Sequence, residues 1–154
     1  MPEIELRTVD PEDVRIFFEH QNDAEASAMA SFTPRDESSM EAHWARILAD
    51  PANTCRTILY DGDVAGNVVS WTGDDVRLVG YWIGRAFWGR GIATEALRLF
   101  LEADPHRPLL AHVAIDNVGS IRVLEKCGFE TSAEHPVSPG DDGVQEMVMV
   151  KSGR

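Results

Sequence analysis

Apolar and polar positions alternate at Ile4, Leu6 and Thr8, the period-two pattern of a strand with one buried face. Asp10-Pro11 follows, a helix N-cap and first-turn proline ahead of Val14, Phe17 and Phe18. The polar, alanine-rich stretch 22–35 fits neither period, and no element is assigned to it. Ser38-Ser39-Met40-Glu41 has the form of a capping box. Met40, Trp44, Ile47 and Leu48 then share a helical face until Asp50-Pro51 ends it. Thr57 to Tyr60 and Val64 to Trp71 flank the turn Asp61-Gly62-Asp63 and predict a hairpin. A second turn, Gly73-Asp74-Asp75, leads into a strand from Val76 to Ile83.

A helical period resumes at Ala93, Ala96, Leu97, Phe100 and Leu101, predicting a helix from Ile92 to Ala103. Pro105 and Pro108 separate it from an apolar strand, Leu109 to Ala114. Asn117 caps the next helix, with Ile121, Leu124 and Cys127 on its apolar face and Gly128 as its stop. Phe129 opens a strand, Pro136 to Gly143 reads as a turn-rich loop, and Glu146 to Lys151 is a final strand. This order predicts an α+β or mixed α/β layer, with helices covering a largely antiparallel sheet. No repeat or low-complexity linker interrupts it, so residues 1–154 are expected to form a single domain.

Composition narrows the function more than the fold. Hydrophobic residues at 44% and charged residues at 26% are ordinary for a globular chain. No apolar run approaches the ~20 residues of a membrane span. The acidic start, Met1-Pro2-Glu3-Ile4-Glu5, is unlike a secretory signal. Cys55 and Cys127 lack metal-ligand spacing, so a cytoplasmic protein with reduced thiols and no metal is expected. The net charge of −12 argues against a nucleic-acid partner. It aids solubility, and it would also draw in a cationic partner such as an amine or basic peptide.

The stretch Trp82-Ile83-Gly84-Arg85-Ala86-Phe87-Trp88-Gly89-Arg90-Gly91-Ile92-Ala93-Thr94 carries the first candidate chemistry. It reads as a strand end, a glycine turn and a helix start. The unpaired amides of Gly91 to Thr94 would cradle a phosphate or pyrophosphate. A dinucleotide fold would place such a turn after the first strand of a repeated parallel unit, with an acid ~20 residues on. Here it follows a meander in mid-chain. A triphosphate loop needs Lys-Ser or Lys-Thr after the second glycine, and Ile92-Ala93 stands there. A tight turn without a ligand is the remaining alternative.

A second motif decides among these. Asn117-Val118-Gly119-Ser120-Ile121-Arg122-Val123-Leu124-Glu125-Lys126-Cys127-Gly128-Phe129 lies downstream of the turn. With Trp88 to Ala93 matching a Gln/Arg-x-x-Gly-x-Gly/Ala turn, and this Asn-x-x-Ser helix ending in Lys-x-Gly-Phe, the chain resembles the GCN5-related N-acetyltransferase superfamily. The likeness is greatest to its ribosomal-protein alanine acetyltransferase branch. It implies a mixed α/β fold with a largely antiparallel sheet of about six to seven strands that splays in the middle, and about four helices. It also implies transfer of an acetyl group from acetyl-CoA to a primary amine, with a protein N-terminus or a small molecule as acceptor, by a monomer or homodimer.

By that resemblance, acetyl-CoA would be held by Trp82, Ile83, Gly84, Trp88, Gly89, Arg90, Gly91, Ile92, Ala93, Thr94, Asn117 and Ser120. Two departures stand out. Trp88 replaces the usual head of the turn, and Leu124 stands where many members carry a tyrosine acid. In the ribosomal-protein branch, a serine at the position of Ser120 is the alternative acid. Ser120 also fits a plain capping or packing role.

Direct attack by the amine needs no covalent intermediate. It needs a donor for the thioester oxygen, for which a free amide at Ile83 or Gly84 is the candidate. His112 could shuttle protons or be a surface residue. Tyr81 and Asp74-Asp75 are alternatives for positioning the amine. Cys127 reads as packing. A non-catalytic acyl-CoA-binding module is the rival function.

Overall fold

The alternating segments become strands and the 3.6-period segments helices, in a computed structural model that describes residues 3–23, 36–73, 75–132, 138–139 and 145–152. In chain order the elements are β1 (Ile4–Thr8), α1 (Asp13–Gln21), α2 (Glu37–Ala49), β2 (Thr54–Tyr60), β3 (Asp63–Gly73) and β4 (Val76–Ile83). A short 3-10 turn (Arg85–Phe87) precedes α3 (Ile92–Ala103), β5 (Leu109–Ala114) and α4 (Val118–Lys126). The chain closes with β6 (Glu130–Thr131), β7 (Ser138–Pro139) and β8 (Gln145–Lys151). The sheet order is β1-β2-β3-β4-β5-β8-β6, with β7 also on β8. Every pairing is antiparallel except β4 with β5. The architecture is the mixed α/β layer expected, and among the described residues the two-residue strands β6 and β7 bring its strand count to eight.

Two helix starts differ from the expectation. Asp36 rather than Ser38 caps α2, its carboxylate accepting from Ser39 N at 2.7 Å, which satisfies the same orphan amides two residues earlier. Asp10 and Pro11 form a turn before α1, because the Asp13 carboxylate is held by Arg7, Thr57 and the Asp10 amide. The segment 22–35, apart from Asn22 and Asp23, and the loop 136–143, apart from Ser138 and Pro139, lie outside the described residues, as does Asp74.

Val68 and Val69 are neighbours on β3 yet enter different apolar clusters, which puts those clusters on opposite faces of the sheet. On one face, Ile58, Val68 and Val79 meet Ile92, Leu97 and Phe100 of α3 and Leu124 of α4. On the other, Cys55 and Val69 meet Val14 and Phe17 of α1 and Met40 and Trp44 of α2.

A polar network is buried where α3 ends. The Arg77 guanidinium, on β4, reaches Asp104 Oδ2 at 3.3 Å, Ser70 Oγ at 3.0 Å and the Ala52 carbonyl at 2.7 Å. Ser70 Oγ and His106 also hydrogen-bond the Asp104 carboxylate. Burial alone would raise the Asp104 carboxyl. The hydrogen bonds from Ser70 and His106 and the Arg77 charge outweigh it and bring it down to about 2.

The meander carries one irregularity. β2 skips a residue of β3 between Ile58 and Leu59, a bulge that leaves Ala65 over. Beside it, a Cβ on Gly66 would stand 2.1 Å from the Trp82 carbonyl oxygen, so β3 and β4 approach here as only glycine allows. Gly66→Ala is expected to cost at least about 2 kcal/mol in chemical denaturation, because the obstacle is backbone rather than a movable side chain.

Candidate functional site

The one parallel pairing in the sheet is short. β4 meets β5 only through Arg77 with Leu109 and Leu78 with Leu110. Beyond those pairs, residues 79–83 of β4 and 111–114 of β5 diverge while each keeps its antiparallel neighbour. A V-shaped gap results, closed at the Arg77 end and open at Ile83.

The alternation of the antiparallel ladder fixes what faces this gap. Gly84 N donates to Ala65 O at 2.8 Å, so Gly84 and Trp82 spend their backbone groups on β3, and those of Ile83 and Tyr81 point the other way. The indole of Trp88 marks the same side, donating to the Ile83 carbonyl at 3.0 Å. Of the two amides considered for an oxyanion, Gly84's is taken by Ala65, and Ile83's faces the gap.

The glycine turn meets the mouth of the gap. Gly91, at φ 73°, is the residue before α3, and no side chain caps that helix. Its first intrahelical bond runs from Glu95 N to Gly91 O, so the preceding amides have no helical partner. A Cβ on Gly89 (φ 78°) or Gly91 would meet nothing within 4 Å. The backbone is therefore bare on the cleft side, and the helix dipole favours an anion there.

From the third side, Asn117 caps α4, its Oδ1 accepting from Ser120 N at 3.2 Å. This turns Ser120 toward β4, where its Oγ lies 2.6 Å from the Tyr81 hydroxyl. Burial pushes that hydroxyl up to about 12, against the pull of the Ser120 hydrogen bond, so it is a proton donor at neutral pH. Leu124 is buried in the core and its side chain is no part of the cleft.

These three pieces enclose a cleft of about 380 Å³ lined by Tyr81, Trp82, Ile83, Phe87, Trp88, Gly89, Gly91, Ile92, Ala93, Thr94, Asn117, Gly119, Ser120 and Val123. Ten of the residues assigned to acetyl-CoA from the sequence thus come together. Gly84 and Arg90 do not line it. Gly84 is buried beneath the His20 ring, and the Arg90 guanidinium lies over the Tyr60 ring at 5.6 Å. His112 is exposed on β5, opposite Val148, and is not among the lining residues. Asp75 holds the φ of 66° of a tight turn. The Cys127 thiol, raised by burial, donates to the Thr94 carbonyl at 3.4 Å and packs α4 on α3. Among the described residues, no group of three metal-ligating side chains occurs, and no helix is long and apolar enough to cross a membrane.

Sequence reasoning weighed Tyr81 with the amine, whereas the structure joins it to Ser120. Only the register of β4 against α4 reveals that contact, and no local pattern encodes it.

Comparison with known proteins bears on what such a cleft holds. The model of the acetyltransferase (GNAT) domain matches residues 3–130. A putative ribosomal N-acetyltransferase, YdaF, of Bacillus subtilis (strain 168) is 34% identical over 94 residues, covering 56% of this chain and 51% of that protein. The chain spans about half or less of the length of the curated relatives it matches. Among solved structures, a spermidine N-acetyltransferase from Vibrio cholerae in complex with CoA and spermine superposes with a TM-score of 0.82 at 17% identity, over 97% of this chain and 95% of that one. Aminoglycoside acetyltransferase AAC(6')-Ib in complex with coenzyme A gives a TM-score of 0.79 at 20% identity, over 97% and 95%. At these identities the two structures speak for the fold.

Proposed function

Because the chain belongs to the acetyltransferase (GNAT) domain family, we propose that it moves an acetyl group from acetyl-CoA to a primary amine, by direct attack in a ternary complex. The observation that carries this reading is the meeting, in one cleft, of an open strand edge, uncapped helix amides and a paired hydroxyl donor. Each answers one part of the donor substrate. The amides of Ile92, Ala93 and Thr94, with the bare backbone of Gly89 and Gly91, suit the pyrophosphate. The outward backbone groups of Tyr81 suit an amide of the pantetheine arm, which pairs as an added strand.

The acetyl thioester then lies in the gap, with the Ile83 amide as the donor to its oxygen as negative charge develops. Collapse of the tetrahedral adduct breaks the carbon–sulfur bond and releases a thiolate. Ser120 Oγ and the Tyr81 hydroxyl, 2.6 Å apart, form a hydroxyl pair that can pass a proton to that thiolate. The acid is thereby supplied from β4 and the first turn of α4, without the helix tyrosine that Leu124 replaces. Ser120→Ala is expected to lower kcat about 10- to 100-fold with acetyl-CoA affinity unchanged, and Tyr81→Phe to lower it less. The effect is moderate because a thiol of pKa ~8.5 needs little help to leave. Steady-state kinetics with calorimetry measures both.

The acceptor reading rests on charge and kinship. A net charge of −12 favours a cationic amine. The relatives' names cover a ribosomal, a polyamine and an aminoglycoside acetyltransferase, so kinship favours amine acetylation without selecting the amine. A protein N-terminal α-amine, as in the ribosomal-protein branch, and a small-molecule amine are the two classes to test. Two free, buried cysteines accord with a cytoplasmic reaction.

The test has two stages. Calorimetry with acetyl-CoA, CoA and NAD should show binding of the first two only, and failure of both CoA species to bind would overturn the proposal. Incubation with acetyl-CoA and a panel of peptides and amines, followed by mass, should show acetylated product and free thiol. Binding without transfer to any acceptor would instead make the chain a non-catalytic acyl-CoA-binding module.

A further inference from the structure

On the far face of β4 from Ser120 stands a histidine that the donor site does not use. His20 lies in the last turn of α1, and its ring lies on Gly84, the residue after β4. A Cβ at Gly84 would be 2.6 Å from His20 Nε2 and 2.5 Å from Cδ2. Alternation places Gly84 with Trp82 on the α1 side of the sheet, and Ile83, between them, on the α3 side. The imidazole is therefore one residue along the backbone from the open Ile83 amide, across the sheet from the Tyr81–Ser120 pair.

Two buried polar atoms here have no hydrogen-bond partner among the described residues, His20 Nδ1 and Asn67 Nδ2. Asn67 is paired with Trp82 in the ladder and diagonal to Gly84, so it shares this face. Buried polar atoms without partners are rare enough that each needs a ligand or a role. Trp82, which shares this face with Asn67, also lines the cleft.

We propose that His20 is the base that takes a proton from the acceptor's ammonium group, with the amine entering from the α1 face of the gap and Asn67 pairing with a polar group of the acceptor. This rests on the acetyl-transfer reading above. The proton balance is complete. R–NH3+ gives one proton to the imidazole and attacks as R–NH2. The nitrogen–carbon bond forms as the carbonyl becomes an oxyanion. The second nitrogen proton is lost as the carbon–sulfur bond breaks; Ser120 gives its own proton to the thiolate and regains that second nitrogen proton, and the imidazolium returns its proton to water. Burial lowers the His20 pKa, opposed by Glu19 on its own helix, so the ring is neutral and able to accept near neutral pH. From β4 it meets Gly84, and the Arg85 that follows is held by Asp23 at 2.9 Å.

His20→Gln tests this through its pH profile, with an acceptor that the wild type acetylates. The expected result is a loss of kcat/KM of about 10²–10⁴-fold near neutral pH, shrinking as pH rises toward the pKa of the amine, where free base is abundant. Melting temperature and acetyl-CoA affinity should hold. In His20→Ala, imidazole in the buffer should restore part of the neutral-pH rate, which keeps the test alive should the glutamine variant fold poorly. A pH-independent loss without imidazole rescue, or an unchanged profile, would overturn the role of His20 and leave acetyl transfer standing. A wild type that binds acetyl-CoA and acetylates no amine would overturn both.

Discussion

Gly91→Trp is expected to remove measurable acetyl-CoA binding while the protein stays folded. The Cβ of residue 91 would enter open space, so the indole meets no core and instead fills the volume in front of the α3 amides. Each charge-assisted hydrogen bond to a phosphate is worth about 1.5–3 kcal/mol. Losing two or more of them weakens binding by roughly 100-fold at the least. The stability cost is confined to a side chain at φ 73°, about 1–2 kcal/mol, or a fall in melting temperature of a few degrees. Calorimetry beside a thermal melt separates the two quantities. An affinity within threefold of wild type would remove the glycine turn from the donor site.

Asp104→Ala is expected to be the most damaging single change to the fold, at about 3–5 kcal/mol in denaturant. The carboxylate is fully buried, and its removal strands Arg77, itself 6% exposed, in the interior. Arg77→Met alone should cost a similar amount for the mirror-image reason. The double variant should cost less than the sum of the two, because no unpaired charge is left behind.

The same carboxylate gives a pH signature. Asp104 titrates near 3.8 when unfolded and at about 2 when folded. The stability it contributes is therefore complete above about pH 4 and is lost as pH falls toward 2. Acid denaturation followed by circular dichroism should show this loss in the wild type, and it should be reduced in Asp104→Asn.

Much of this molecule is legible locally. The residues from Ile92 to Ala103 carry a helical period, a glycine entry and a proline exit, and they form that helix over that range. The same holds for Leu109 to Ala114 and for Asn117 with its cap. The glycine turn with its uncapped helix start is readable because its parts are consecutive. The splay was not readable from pattern, because it consists of strand pairs that fail to form, and Val79 to Ile83 look the same whether paired or open. The exact amide that faces the gap depends on ladder phase, which Ala65 and its bulge set from another strand. His20 carries no signal at all in Phe17-Phe18-Glu19-His20, since its significance lies in packing on a glycine 64 positions away.

On the proposed roles, the gap would give the two substrates separate doors, acetyl-CoA from the α3–α4 side and the amine from the α1 side. Neither product must then wait for the other to leave, and an acceptor as large as a folded protein need present only its terminus. Initial-velocity plots should therefore intersect rather than run parallel. CoA should compete with acetyl-CoA but not with the amine, and a dead-end amine analogue should bind the free enzyme as well as the acetyl-CoA complex. The short register of two residue pairs between β4 and β5 would thus be visible in the pattern of product inhibition.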